Sequence, residues 1–455
     1  MDYSPLSEAD IQKMLKTIGI QDIDELFKDI PENIRNPILN IGEGLSELET
    51  MQFLQHLARK NHVFNAFFSG GGCYHHFIPP VVNEITRRNE FYTSYTPYQA
   101  EISQGFLQAI YEYQTSICNL TAMDASNASV YDGATAVAES LIMAKNRTRK
   151  SDFIVLQPIN PYYREVLDTY GYANEFNLIY SDLTTLSEKL YSDTIAGVVI
   201  QNPNFFGELL DIESIIETIR NISKKVLVIY LSIEASSLGI LRRPGTLGVD
   251  IVCGDVQSLG LPINFGGPST GYIATTKKLM RKLPGRIVGK TKEIHGDKEG
   301  YVLTLQAREQ HIKREKALSN ICSNEALCML AVQVFLSALG YSGLRQMAEL
   351  NIKNLHYLMK KIENLSNLSI LSRTPVYNEF LVECEKGKFS KLKEKCISNH
   401  ICPPLLLTER IIGLIKEGTT LEIDDNKEYI LICNTETNEI GYIDDFLQIL
   451  KEVMG

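Results

Sequence analysis

The sequence predicts an α/β protein, a mainly parallel β-sheet with flanking helices, followed by a smaller C-terminal α+β domain. Three observations carry this reading. Residues 150–275 alternate short β-branched runs with amphipathic stretches, the pattern of strands joined by crossover helices and covered on both faces. Tyr131-Asp132-Gly133-Ala134-Thr135-Ala136 is a small-residue turn that runs into the helix formers of Val137–Lys145. The stretch Asp255–Gly271, DVQSLGLPINFGGPSTG, follows an apolar run and sets Gly260, Gly266, Gly267 and Gly271 around two prolines, so that backbone can come close to a neighbour.

A chain of 455 residues exceeds a single core. We expect a helical arm over 1–60, a large domain over 61–320 and a small α+β domain over 321–455. Apolar residues make up 44% and charged ones 22%, and no stretch reaches the roughly 18 uninterrupted apolar residues of a membrane span, so no membrane association is expected. A net charge of −10 argues against a general nucleic-acid binder, although a local basic patch stays open. The acidic start lacks a basic region followed by an apolar one, so a cytoplasmic location is expected. The nine cysteines are scattered and never spaced CxxC, which fits reduced thiols and no metal site.

In order along the chain, Ser7 starts a helix carrying Ile11, Met14, Leu15 and Ile18, which Gly19 ends. Ser46 and Glu49 open another, with Leu48, Met51, Leu54 and Leu57 on one face. Residues 61–98 are loop-rich and contain Gly70-Gly71-Gly72-Cys73-Tyr74-His75-His76 and Tyr92-Thr93-Ser94-Tyr95-Thr96-Pro97-Tyr98. Backbone amides and tyrosine tips in such loops can converge on a ligand, or the rings can simply pack. The adjacent His75 and His76 have no third partner at metal-ligand spacing. A helix over 99–120 turns Ile102, Phe106, Ile110, Tyr113 and Ile117 inward. The turn at Asp132, Gly133, Ala134 and Thr135 then offers free N–H groups at a helix start, either as a phosphate cradle or as an ordinary cap.

Strands are expected at 153–157, 178–180, 197–201, 226–230, 251–253 and 272–274. Ligands of such sheets gather at the carboxyl ends of strands, where Gln201–Asn204, Leu231–Glu234 and the Gly-rich stretch all fall. After a polar loop over 290–300 comes a basic run containing Arg308, Arg314 and Lys316, which is either a solvated face or a grip for an acidic partner. An apolar helix over 325–339 breaks at Gly340, and another follows over 344–362. A strand at 429–433 and a helix over 443–453 complete the small domain.

The phosphate-type helix start, the alternating sheet and the Gly-rich loop together suggest the large domain of fold-type-I pyridoxal-phosphate (PLP) enzymes. That chemistry needs a lysine for the internal aldimine and an acid on a central strand to keep the pyridine nitrogen protonated. No lysine occurs between Lys225 and Lys277.

The blocks Tyr92–Gly105, Asn127–Ala136, Phe265-Gly266-Gly267-Pro268, Pro284-Gly285-Arg286 and Gln306–Cys322 resemble, in order, those of glycine dehydrogenase (decarboxylating), the P-protein of the glycine cleavage system. The resemblance runs over most of the chain and is nearest to the α chain of the two-chain form. Counting back from Pro262 places Gln257 at the position of the family's catalytic lysine, and Leu231 or Ser232 stands where a ring-binding aspartate is expected.

The resemblance therefore implies a division of labour. A β subunit (subunit 2) would hold PLP covalently, and this chain would complete the walls of a shared site in an α2β2 assembly. Glycine would be decarboxylated there and its aminomethyl group passed to the lipoyl arm of the H-protein. The shared-site candidates it implies are Tyr95, Tyr98 and Glu101, then His75 and His76, with Asp132, Gly133, Ala134 and Thr135 a vestigial cradle. A scaffold or regulatory subunit, or a separate PLP enzyme with another lysine, are the competing readings.

Overall fold

The computed structural model describes residues 5–454 except 36, 265, 374 and 420, so Phe265 of the Gly-rich block lies outside the described residues. The chain divides into two units, residues up to His62 and residues from Val63 onward. In the first, the helices Glu8–Ile18 and Glu47–Ala58 form as their caps dictate. Ser7 with Asp10 and Ser46 with Glu49 make complete capping boxes, and Gly19 closes the first helix at φ 87°. Their expected apolar faces stay uncovered, however: Leu15 is buried, while Met14, Ile18, Leu48, Met51, Leu54 and Leu57 are exposed.

In the second unit the strands are β1 (Ala66–Phe67), β2 (Ala125–Ser126), β3 (Asp152–Leu156), β4 (Asn177–Ser181), β5 (Ile195–Gln201), β6 (Leu227–Ser232), β7 (Ile251–Asp255) and β8 (Gly271–Thr275). Seven of them form one sheet in the order β2-β8-β7-β6-β5-β3-β4. Neighbours from β7 to β4 run parallel, and β8 is antiparallel to both β7 and β2. Both faces are buried, which is why the strands read as nearly unbroken apolar runs. Val198, Ile200, Val228 and Tyr230 enter the core on one face, and Val199, Ile229 and Leu231 enter the core on the other. The helix Gly133–Thr148 packs on β7 and β8. The segments after β3, β5, β6 and β7 emerge along one edge, and Asp255 at the end of β7 meets the start of that helix at Gly133.

A hairpin follows, β9 (Val288–Lys292) and β10 (Glu299–Leu303), where the sequence reading expected a polar loop. Its middle faces solvent and Lys290 pairs with Glu299 at 2.6 Å, so no apolar alternation announces it. The strands β11 (Ser369–Ile370), β12 (Glu379–Glu385), β14 (Leu405–Leu406) and β15 (Lys427–Cys433) form the antiparallel sheet β11-β12-β15-β14, and β13 (Ile401–Cys402) pairs with β1. The passage before residue 98 thus contributes a strand alongside the C-terminal elements.

Helix Ala326–Ile362 is continuous by its hydrogen bonding but leaves helical geometry at Gly340 (φ 62°, ψ −173°), the expected break. It is long and apolar enough to cross a membrane, yet Met329, Val332, Phe335, Leu344 and Leu355 are buried in the cores of this unit. One expected inward residue is corrected. Ile102 is 81% exposed because the helix begins at Gln104, and Ile102 sits on a separate 3-10 turn, Ala100–Ile102. All nine cysteines are free.

Gly207 (φ 73°) is where β5's exit meets β12: a Cβ there would stand 1.8 Å from the carbonyl oxygen of Glu379. Gly207→Ala is expected to cost about 3 kcal/mol or more, through left-handed backbone and a clash with main chain that cannot yield. Urea denaturation measures it, and a loss below 1 kcal/mol, on the order of an ordinary surface change, would contradict this account.

Candidate functional site

The crevice at the carboxyl ends of the strands is filled by the chain itself. Asp132 caps the helix Gly133–Thr148 by accepting from Thr135 N–H at 2.7 Å. The next free amide, Gly133 N–H, donates to Asp255 Oδ2 at 2.9 Å. Asp255 ends β7 and accepts also from Gln257 N–H (2.7 Å) and from Ser269 Oγ (2.8 Å). Burial pushes its carboxyl up to about 6, and those donors limit the rise. A Cβ on Gly133 would stand 2.3 Å from Tyr163 Oη and 2.9 Å from Asp255 Cβ. A carboxylate of the protein therefore takes the donors that a phosphate would need.

Gln257, expected at the position of the family's lysine, is equally engaged. Gln257 is buried, and its side chain brackets one residue of the Gly70–His76 loop. Tyr74 N–H donates to Gln257 Oε1 (3.1 Å), while Gln257 Nε2 donates to Tyr74 O (3.2 Å) and Leu261 O (2.8 Å). Tyr74 reaches on to β12, where its hydroxyl donates to Glu379 Oε1 (2.6 Å) and Gly71 N–H donates to Oε2 (2.7 Å). Burial raises the Glu379 carboxyl to about 8, against the pull of these two donors. On β6, Leu231 and Ser232 are both buried, and Glu234 beyond them faces His76 and accepts from Ser236 N–H at 2.9 Å.

His76 is buried between two carboxylates, with Nδ1 2.7 Å from Glu436 and Nε2 3.3 Å from Glu234. Burial alone would lower its pKa, but the two carboxylates outweigh it and raise it to about 10, so the ring is an imidazolium. His75 stacks on Phe67 with ring centres 4.0 Å apart, and burial lowers its pKa. Both line a cavity of about 580 Å³ with Phe77, Ile78, Glu436, Thr437 and Glu439.

Tyr95 and Tyr98 lie elsewhere, in a concavity of about 660 Å³ lined also by Glu90, Phe91, Thr96, Gln99 and Phe106. Tyr95 is 84% exposed and Tyr92, Tyr98 and Ile102 are exposed beside it. Glu101 is exposed on the following turn and is not part of that lining. The structure thus brings the two tyrosines together and keeps the two histidines in a separate site. In the basic run, Arg308 turns inward onto backbone carbonyls, whereas Arg314 and Lys316 are exposed.

Sequence reasoning missed Asp255, Glu379 and Glu436. Asp255 carried a signal, being an acid at the end of a strand, two residues before Gln257. Glu379 and Glu436 carried none, since only the fold brings them to residues 71–76.

The family model for the glycine cleavage system P-protein matches residues 1–421. The chain is 44% identical over 462 aligned positions, all of both proteins, to the probable glycine dehydrogenase (decarboxylating) subunit 1 of Desulfitobacterium hafniense. It is 47% identical to the Brevibacillus brevis protein of that name, over 84% of this chain and 86% of that one. Among solved structures it is similar to a glycine decarboxylase (P-protein) of the glycine cleavage system in inhibitor-bound form, with TM-score 0.88, 36% identity and full coverage of both chains. A Lactobacillus brevis glutamate decarboxylase (TM-score 0.65, 12% identity, 92% and 94% covered) and a NifS-like protein (0.61, 15%, 85% and 98%) share the fold. The architecture is that of fold-type-I PLP-dependent enzymes.

The His76 pKa lies above its unfolded value of 6.5, so its stabilisation is complete below about pH 6.5 and is lost as pH rises toward about 10. Replacing one partner of this buried set, His76→Gln, is expected to cost about 3 kcal/mol near neutral pH. The loss should shrink at alkaline pH. Urea midpoints of both proteins across this range test it, since their difference isolates His76 from other titrating groups. A pH-independent difference would refute the imidazolium.

Proposed function

The chain belongs to the glycine cleavage system P-protein family, and on that premise we propose that it is the α subunit, subunit 1, of a two-chain glycine decarboxylase. It works by completing a site whose PLP the β subunit holds. What carries the reading is the contrast between two places: a cofactor crevice that the chain fills with its own Asp255, Gln257 and Tyr74, and an exposed tyrosine loop around an open concavity. PLP does not suit this chain's crevice, because Gln257 offers no amine and the Asp255 carboxylate would repel a phosphate from the amide it already occupies.

In the assembled enzyme, proposed as α2β2, Tyr95, Tyr98 and Glu101 face the partner's reacting glycine. The tyrosine rings exclude water from the carboxylate that is to be lost, and the Tyr95 hydroxyl orients it. The product aminomethyl group passes to the lipoyl arm of the H-protein. His75 and His76 act differently from the tyrosines in this scheme: their ring contacts are within the chain, and they support the fold behind the site.

Two experiments test this. The purified chain mixed with PLP and then freed of excess cofactor by gel filtration should retain no stoichiometric, site-specific borohydride-reducible adduct, and Gln257→Lys alone should not create one at that residue, because Asp255 still fills the cradle. An adduct on the unaltered chain would sink the division of labour and favour a separate PLP enzyme. With the β subunit and lipoylated H-protein, Tyr95→Ala is expected to lower exchange of carbon dioxide into glycine by roughly tenfold or more while the complex still assembles. Full exchange by both Tyr95→Ala and Glu101→Gln would leave a scaffold or regulatory role.

A further inference from the structure

Several blocks that carry the family resemblance have no part in the assignments above, yet the fold gathers them beneath the tyrosine loop. Asn127 Nδ2 donates to Pro284 O (3.2 Å), and Ala128 N–H donates to Arg286 O (2.9 Å). From the other side Arg308 donates to Leu283 O and, at 2.6 Å, to Gly285 O. Gly285 has φ 75°, and a Cβ there would stand 3.0 Å from Ser129 O. The segment 283–286 is therefore fixed on both sides.

What that segment presents is Arg286, a fully buried guanidinium. Its Nη1 is ion-paired with Glu309, itself buried. Its Nη2 donates to Tyr98 Oη at 3.0 Å, and its Cζ lies 5.0 Å from the centre of the Tyr98 ring. A guanidinium serving only the core would have no reason to reach a half-exposed hydroxyl.

Besides this anchor, the loop it reaches is held by the buried Pro97 and by the Tyr98 ring, which meets His311 edge-on at 6.2 Å. Residues 93–99 form neither helix nor strand. Among the described residues, two side-chain hydrogen bonds tie positions 94–99 to the rest of the fold: Thr96 Oγ1 with Ser323 Oγ (3.1 Å), and Tyr98 with Arg286. They flank the exposed Tyr95 on its C-terminal side.

We propose that Arg286 and Glu309 are positioning residues of the shared site, a buried ion pair that locks Tyr98 and through it sets where Tyr95 stands. A pair buried this deeply cannot swivel without exposing an uncompensated charge, so it transmits the rigidity of the core to a segment that is neither helix nor strand. The proposal rests on the reading that the tyrosine loop faces the partner's active site.

Arg286→Lys keeps a charge opposite Glu309 but loses the fork that reaches Tyr98, and Tyr98→Phe removes only the hydroxyl. In the enzyme assembled with its partner and the lipoyl carrier, each should lower kcat for exchange roughly tenfold, with KM for glycine within about twofold. The double variant should be no worse than the poorer single one, because both break the same bond. Wild-type kcat for Arg286→Lys at equal assembly, or losses that multiply, would overturn the proposal.

Arg286→Lys could fail to fold, and a second measurement covers that case. In the isolated chain, Tyr98→Phe should speed amide hydrogen exchange over residues 93–99 several-fold and leave the rest unchanged. Unchanged exchange there overturns the anchor whatever the activity. A loosened loop with undiminished catalysis overturns instead the shared-site reading beneath it.

Discussion

The crevice depends on one buried carboxylate. Asp255 stands at the end of β7 against the positive end of a helix, and a charge in that position is tolerable only with donors around it. Gly133 N–H, Gln257 N–H and Ser269 Oγ supply them. The bond to Gln257 N–H also orients that residue, whose side chain brackets the backbone of Tyr74, and Tyr74 leads to Glu379 in the second sheet. A single buried carboxylate thus links the helix start, Gln257, the glycine loop and β12. The absent amine is one part of a reorganised crevice.

The division between filled and open regions gives the chain its character. Where a cofactor would sit, the Gly133 amide and the Gln257 side chain are satisfied by other groups of the same chain. Where the tyrosines project, large aromatic surface is left in water beside a concavity, the usual mark of a surface that expects a partner. The same contrast recurs in the N-terminal unit, whose helices are well capped yet bury a single apolar side chain among the described residues. Local signals there specify helices that the unit itself does not bury.

Most of the large sheet was legible because its strands are buried on both faces, and β-branched runs such as those of β5 and β6 have no competing reading. Helix ends marked by Ser7, Gly19, Asp132 and Gly340 were legible for the same local reason. The hairpin of β9 and β10 was not, since solvent-facing strands leave no apolar period. The site was legible only in part. Gln257 and the tyrosine loop could be found by motif order, whereas Glu379, which Tyr74 meets, and Glu436, which His76 meets, lie 305 and 360 positions away and no local rule reaches them. Arg308 shows the converse: a charge within a basic run was expected on a solvated face or as a grip for an acidic partner, and only the fold reveals that it faces inward onto backbone carbonyls.

The glycine loop has one more consequence. Enzymes that grip a substrate between two domains need those domains to part and close. Here residues 71–76 are stitched to the large sheet through Gln257 and Glu234 and to the antiparallel sheet and its exit through Glu379 and Glu436. Such seams oppose a hinge between the two sheets. Under the proposed division of labour the chain would therefore dock with little ordering entropy left to lose. On the same premise, the breathing that a catalytic cycle requires would fall to the subunit on the far side of the interface.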